Sequence, residues 1–246
     1  MQRLWSVSAR IMIAISLVAT ASCIGLAAFG LWRQQTAINL ALHRELQSDY
    51  VNMLSAMEAD TRTVQVVANA LATMPELKTV VRAKDRDGAL KLLNSTLASI
   101  KPLGVELITI QIPPGITLAR VHNPKVFGDN VTARRKMVAR ALTENKAFGG
   151  IEAGHDILNI FGTTPIVDNG TVLGTVDMGA PFGKAFVKSM KERFGVDLAI
   201  HQISNNAVKT LASTTTAPQP SLDTIKRAMS GETIFVEGEH AGHPTS

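Results

Sequence analysis

Cysteine is all but missing from this 246-residue chain: Cys23 stands alone, so it can form no intramolecular disulfide and has no metal-ligand neighbour. That fits a chain exported without structural disulfides. Basic runs are missing too. The formal charge is +5, but Arg3 and Arg10 lie in the first ten residues and no long Lys/Arg run follows. Nucleic-acid binding needs clustered cations and usually aromatic platforms, so no nucleic-acid partner is expected. Catalytic signatures are equally scarce, with no Gly-x-Ser-x-Gly, His-Glu-x-x-His or phosphate-binding loop. No cofactor is expected. His240 and His243 form an H-x-x-H pair, but they sit beside glycines and a proline without a third ligand, so no metal is expected either.

What the chain does have is apolar residues, 46% of the total, enough for a sizeable core in one or two domains. Residues 11–32 are uncharged and mostly apolar, flanked by Arg3 and Arg10 before and Arg33 after. That length spans a bilayer as a helix. A cleaved signal peptide is the alternative, with Ala19-Thr20-Ala21 as its site, yet the run continues well past Ala21. The expected topology is a cytoplasmic stretch at 1–10, one transmembrane helix at 11–32, and everything later outside the cytoplasm at the plasma (inner) membrane, periplasmic or extracellular.

From 34 to 74 neither proline nor glycine interrupts the chain before Pro75. Sampling every seventh residue gives His43, Tyr50, Met57, Val64, Leu71 and Leu46, Met53, Asp60, Val67, Met74, a largely apolar heptad seam. A helix over this stretch would be about 60 Å long. Its seam suits contact with its own domain or a parallel homodimer, and Asp60 and His43 interrupt it. A second amphipathic segment follows at 75–100, with a break at "KDRDG" (84–88). Strands are predicted at 105–112 and 116–122 around Pro-Pro-Gly, and a helix at 132–145. Three more strands run through "GGIEAG", "DILNIFGTTPIV" and "TVLGTVDMG", the last two joined by Asp-Asn-Gly. A helix at 181–194, a strand at 196–203, a linker at 213–220 and a short helix at 221–230 complete the series. Helix, helix, two strands, helix, three strands suits an antiparallel sheet with helices on one face, an α+β class without βαβ alternation. The chain stops without a closing strand or second span, as a fragment of a longer protein would.

Strand alternation puts Leu118, Arg120 and His122 on one side of their strand and groups Thr175 with Asp177 on another. Each strand thus has an apolar and a more polar face, suiting a helix-covered side and a ligand-facing side. Arg120 and Asp177 could equally form a salt bridge. In the next helix Arg134, Arg135 and Lys136 crowd the first turns, where the macrodipole disfavours cations. Helical phase turns Arg134 inward and leaves Lys136 and Arg140 outside the apolar stripe. Compensating charge is expected from Asp129, Glu152, Asp156, Asp177 or a bound anion.

The combination "RVHNPKVFGDN" with an arginine five residues beyond Asp129, "GGIEAG" and "GTTPIVDNGTVLGTVDMG" after a long helix resembles the extracytoplasmic double Cache sensor domains of methyl-accepting chemotaxis proteins and sensor histidine kinases. The resemblance covers about 34–203. It implies a PAS-like sheet on a long N-terminal helix, a ligand-sensing function rather than an enzymatic one, and motif positions at Arg120, His122, Asn123, Asp129, Arg134 and Glu152. With Asp177, these are the expected ligand-binding residues. Phe161 departs from the pattern, standing where similar sequences often carry an arginine. Residues 33–180 are expected to form the sensor module and 181–246 the start of a truncated, membrane-proximal one. The expected ligand is small and anionic, a carboxylate among the options, and the receptor a homodimer through the long helix. Two alternatives come from other classes: an exported enzyme pairing His122 with Asp129 or Glu152, and a structural stalk that binds a partner through its heptads.

Overall fold

The computed structural model describes residues 7–154, 157–234, 238–240 and 243–245. Two compact units divide it, Met1–Asn52 and Met53–Ser246. Helix α1 (Val7–Thr73) contributes to both. Within the first unit, the stretch Ile11–Ile38 is long and apolar enough to cross a membrane, with mean hydropathy 2.2 and none of it buried. It is longer than the 11–32 expected from charge flanks alone. The absence of proline and glycine beyond Gly30 lets the same helix continue to Thr73.

In the second unit α1 buries Ala56, Val64, Ala68, Leu71 and Ala72. Pro75 ends it and occupies the first turn of α2 (Pro75–Arg82), where its missing N–H costs nothing. Helix α3 (Arg86–Ile100) starts where the Asp85 carboxylate accepts from the Gly88 amide at 2.9 Å. The expected break at 84–88 is thus one residue of left-handed backbone at Lys84 followed by a cap.

Next come β1 (Leu107–Ile112), β2 (Ile116–Arg120), α4 (Lys136–Glu144), β3 (Phe148–Ala153), β4 (Leu158–Asp168) and β5 (Thr171–Pro181). The strands form one antiparallel sheet in the order β2-β1-β5-β4-β3. Asn169 and Gly170 both take positive φ between β4 and β5, the primed-turn geometry that the Asn-Gly pair favours. The class is α+β, with the long N-terminal helix set against an antiparallel sheet.

One sheet face carries Ile108, Ile110, Ile160, Ile166, Val176 and Met178 into a core with Val64, Leu71, Leu77, Val81 and Leu93. Gly162 is a point of close approach in this layer. A Cβ there would lie 2.6 Å from the backbone nitrogen of Gln65, so α1 rests directly on β4. Two residues on, the Thr164 hydroxyl donates to Asn69 of α1 at 2.6 Å. The opposite sheet face is polar: Thr109, Gln111, Thr163, Thr175 and Asp177 are all buried there.

Beyond the sheet lie α5 (Lys184–Phe194), a hairpin of β6 (Ala199–Ser204) and β7 (Ala207–Ser213), α6 (Leu222–Met229), and a short pair β8 (Gly238–His240) and β9 (His243–Thr245). Strand β7 is not anticipated by the sequence reading, because its alternation is weak and its turn, Asn205-Asn206, lacks the usual glycine. The heptad seam is buried at Val64 and Leu71, half-buried at Met53, Asp60 and Val67, and exposed at Tyr50. The side chains of His43, His240 and His243, the cations and backbone of residues 1–6, and Asp156 lie outside the described residues.

Candidate functional site

Strand β2 ends at Arg120, so His122 sits in the turn that follows and not on the strand. Both side chains nevertheless line one cavity of about 30 Å³, together with Thr109, Arg134, Arg135, Phe161 and Asp177. Arg120 is buried, and its guanidinium grips Asp129 in a fork: Nη1 to Oδ1 at 2.7 Å and Nη2 to Oδ2 at 2.8 Å. Nη1 also donates to the Val126 carbonyl at 2.9 Å, closing the loop between β2 and α4 onto the strand. The Arg120 hydrogen bonds hold the Asp129 carboxyl well below the usual carboxylate range, against the opposing effect of partial burial.

The inward-facing cation is Arg135, not Arg134. Its side chain is 3% exposed, against 31% for Arg134. Helical phase fails here because α4 begins only at Lys136, and Arg135 has non-helical φ and ψ of −109° and 81°. Arg135 donates from Nη1 and Nη2 to the two oxygens of Asp177 at 2.7 and 2.8 Å, and from Nε to Glu152 at 2.9 Å. The guanidinium carbon stacks 3.3 Å from the Phe161 ring centroid. Phe161, the departure noted in the motif, is therefore the platform for an arginine that another segment supplies.

Asp177 is filled by further donors. The Thr163 hydroxyl reaches it at 2.7 Å and Gln111 Nε2 at 3.2 Å, while Gln111 accepts from Thr175 at 2.7 Å. Glu152 also caps α4 from strand β3, since its Oε1 accepts from the Met137 amide at 2.9 Å. The expected carboxylates Asp129, Glu152 and Asp177 are thus gathered, each paired to an arginine. Arg120 and Asp177 are each held in an internal ion pair, but with Asp129 and Arg135 and not with one another.

Arg134 differs. It reaches Asp129 only through Nη2, at 3.4 Å, and among the described residues its Nε and Nη1 have no partner. Thr109, buried on the same cavity, likewise has an uncommitted hydroxyl among the described residues. His122 points its Nδ1 at the Ile108 carbonyl at 3.2 Å, which leaves Nε2 free to face the cavity. Partial burial lowers the His122 pKa, and the neighbouring Arg120 charge adds to this. Asn123 is exposed and lines a neighbouring cleft of 220 Å³, shared with Arg120, His122, Ile157 and Asn159. Arg86 of α3 clamps the same loop by stacking 4.1 Å from the Phe127 centroid and donating to the Pro124 carbonyl.

Chemically, the arrangement suits binding. Asp129 and Glu152 are committed to arginines, so neither is set beside His122 as an acid–base partner. The residue that sequence reasoning missed as a site member is Arg135. Its signal was Asp177, a carboxylate on a buried strand that demanded a cation, but Arg134 and Arg135 could not be told apart without the helix start.

Residues 39–242 match the family described as the double sensory domain of two-component sensor kinase. The sensor domain of the Vibrio cholerae histidine kinase DctB aligns with a TM-score of 0.55 at 11% identity, covering 77% of this chain and 76% of that one. The sensory domain of the Campylobacter jejuni chemoreceptor Tlp3 with isoleucine bound aligns at 0.47 and 9% identity, over 81% and 82% of the two chains. The Escherichia coli DcuS sensor domain aligns at 0.42 and 14%, over 57% of this chain and 98% of that one. At such identities the likeness is one of fold, and the DctB alignment carries it. No curated protein sequence matches the chain.

Proposed function

The chain belongs to the family of double sensory domains of two-component sensor kinases, and from that premise we propose that it senses a small anionic metabolite, a carboxylate among them, outside the cytoplasm. In this reading the helix stretch Ile11–Ile38 anchors it in the plasma membrane. Residues 33–180 form the ligand-binding module and 181–246 begin the second one. The module signals as a homodimer through α1.

The carrying observation is Arg134. It is a cavity arginine with two unused donor nitrogens, Nε and Nη1, among the described residues, and it stands beside the uncommitted Thr109 hydroxyl and His122 Nε2. An anion there gains charge-assisted hydrogen bonds without breaking the buried Arg135–Asp177 pair. At about 30 Å³ the cavity holds no more than a water, so a carboxylate enters only as the 121–135 segment moves outward. That segment is held by Arg120, Arg86 and Asp129, which gives ligand entry a mechanical consequence.

Calorimetric titration of the wild type and Arg134→Ala, with carboxylates and amino acids selected by thermal shift, tests the reading. Losing one charge-assisted hydrogen bond should weaken binding roughly 10- to 100-fold. Unchanged affinity in Arg134→Ala removes that residue from the site. A full panel without any binder sinks the anion reading itself.

A further inference from the structure

Asp60 is the seam position that neither the core nor the polar sheet face explains. It stands among apolar heptad partners on α1, half-buried, with no hydrogen bond or ion-pair contact among the described residues; its electrostatic neighbour is Arg193 on α5. Burial raises its pKa above the ordinary carboxylate value, more than Arg193 lowers it. A carboxylate in this condition weakens the fold unless something cationic comes to it.

The surroundings say what that could be. Asp60 opens onto a cleft of about 280 Å³ between α1, the 103–106 segment, the end of β5 and α5. The cleft floor is apolar and fully buried: Val64, Ile160 and Met190 are each 1% exposed. Its rim carries two carboxylates, the half-buried Asp60 and the exposed Glu106, against the single guanidinium of Arg193. An apolar cavity of about 150 Å³ already accommodates benzene, so this one has room for a larger body.

It is also separate from the anion site. Ile160 points to the helix side of β4, while Phe161 and Thr163 point to the ion network, and the two cavities share no lining residue. We propose that this cleft is a second small-molecule site, one that takes an apolar primary amine: the ammonium between Asp60 and Glu106, the hydrocarbon body over Val64, Ile160 and Met190. A carboxylate ligand would meet two like charges at the rim. A neutral alcohol would leave Asp60 without its counter-ion. Because α1 supplies one wall and α5 another, an occupant bridges the two helices.

The test uses the full chain in lipid nanodiscs, titrated calorimetrically with isobutylamine, isobutanol and isobutyrate. The amine should give saturable heat, with the alcohol and the carboxylate at least about tenfold weaker, as loss of a charge-assisted contact implies. Asp60→Asn should weaken amine binding by about 10- to 100-fold on the same grounds while leaving the melting temperature unchanged or higher, since it removes a desolvated charge. Ser189→Trp, which fills the cleft from the exposed face of α5, should abolish binding without touching Asp60. Arg134→Ala should leave amine binding unchanged, so failure of the anion reading and failure of this one separate. No heat with the amine, equal binding of the alcohol, or full binding in a folded Asp60→Asn or Ser189→Trp protein would overturn the proposal.

Discussion

At Asp177 four donors converge on one carboxylate: both Nη groups of Arg135, the Thr163 hydroxyl and the Gln111 amide. The side chain is 1% exposed, so its charge is tolerable only because every lone-pair direction is answered. Asp177→Asn leaves the Arg135 cation buried and half-paired. It should destabilise the second unit by about 3–5 kcal/mol, measured by urea unfolding. Replacing Arg135 and Asp177 together with apolar residues of similar size should cost clearly less, because no orphan charge remains.

Two neighbouring groups set the acid limb of stability, and both work in the same direction. The Asp129 carboxyl has a depressed pKa in the fold, so its contribution is fully present above the unfolded value and is lost as pH falls through the range below about 4. Asp129 is well exposed, which makes the effect modest. His122 is also depressed, so its stabilising share is present above the unfolded value of about 6.5 and fades as pH drops below it. The melting temperature should therefore fall in two stages on acidification, the first setting in as pH drops below about 6.5. His122→Gln should remove the first stage and Asp129→Asn the second. A wild-type curve that shows no fall beginning below about pH 6.5 would contradict the assignment.

Much of this site was legible residue by residue. Arg120, Asp129, Glu152 and Asp177 carry charges on segments of obvious β or turn character, and charge balance draws them together. What could not be read is which arginine faces inward. That depends on where α4 starts, and Glu152 fixes the start by accepting from the Met137 amide across the chain. A cap supplied by a distant strand has no local sequence signature.

Among the elements, β4 does the most joining. Phe161 and Thr163 face the ion network, and Gly162 between them lies under the backbone of α1. No flexible side chain cushions that contact, so a shift of β4 is passed to α1 directly. Gly162→Ala should therefore destabilise the unit by about 1–3 kcal/mol through overpacking. The same substitution at Gly170, at the open β4–β5 turn, acts through its positive φ and not through contact. Comparison of the two by thermal melting, with amide exchange of residues 61–69 as reporter, separates displacement of α1 from turn strain. Exchange should rise for Gly162→Ala alone.

The elements themselves were mostly legible. Pro75, Asp85, Pro-Pro-Gly and Asn169-Gly170 punctuate the chain with strong local chemistry, and the predicted order of helices and strands is the observed one as far as β6. Strand β7 escaped because its turn, Asn205-Asn206, and its mixed pattern say little locally; it is held by pairing with β6.

For the whole molecule the exposed apolar side chains of α1 decide the behaviour. Leu17, Leu26 and Trp32 are exposed, and a contiguous apolar surface of this kind marks a stretch that meets a membrane or a partner. The homodimer reading belongs at this scale, since the seam is open at Tyr50 and closes onto the domain at Val64 and Leu71. Cysteines placed at Tyr50 should cross-link efficiently in membranes, those at the half-buried Met57 less so, and those at Val64 not at all. Monomer at all three positions would remove the α1 dimer.

The two-sidedness of β4 has one more consequence, and it concerns chain length. Inserting or deleting a single residue between Ile160 and Thr164 would exchange the faces: Phe161 and Thr163 would be driven against α1, and the glycine would be left under Arg135. Both layers would fail together, although every residue type was retained. Insertions in the Asn169–Gly170 turn meet no such constraint. Within a strand whose composition drifts freely, the count of residues is the invariant, and length changes in relatives should be confined to the connections on either side.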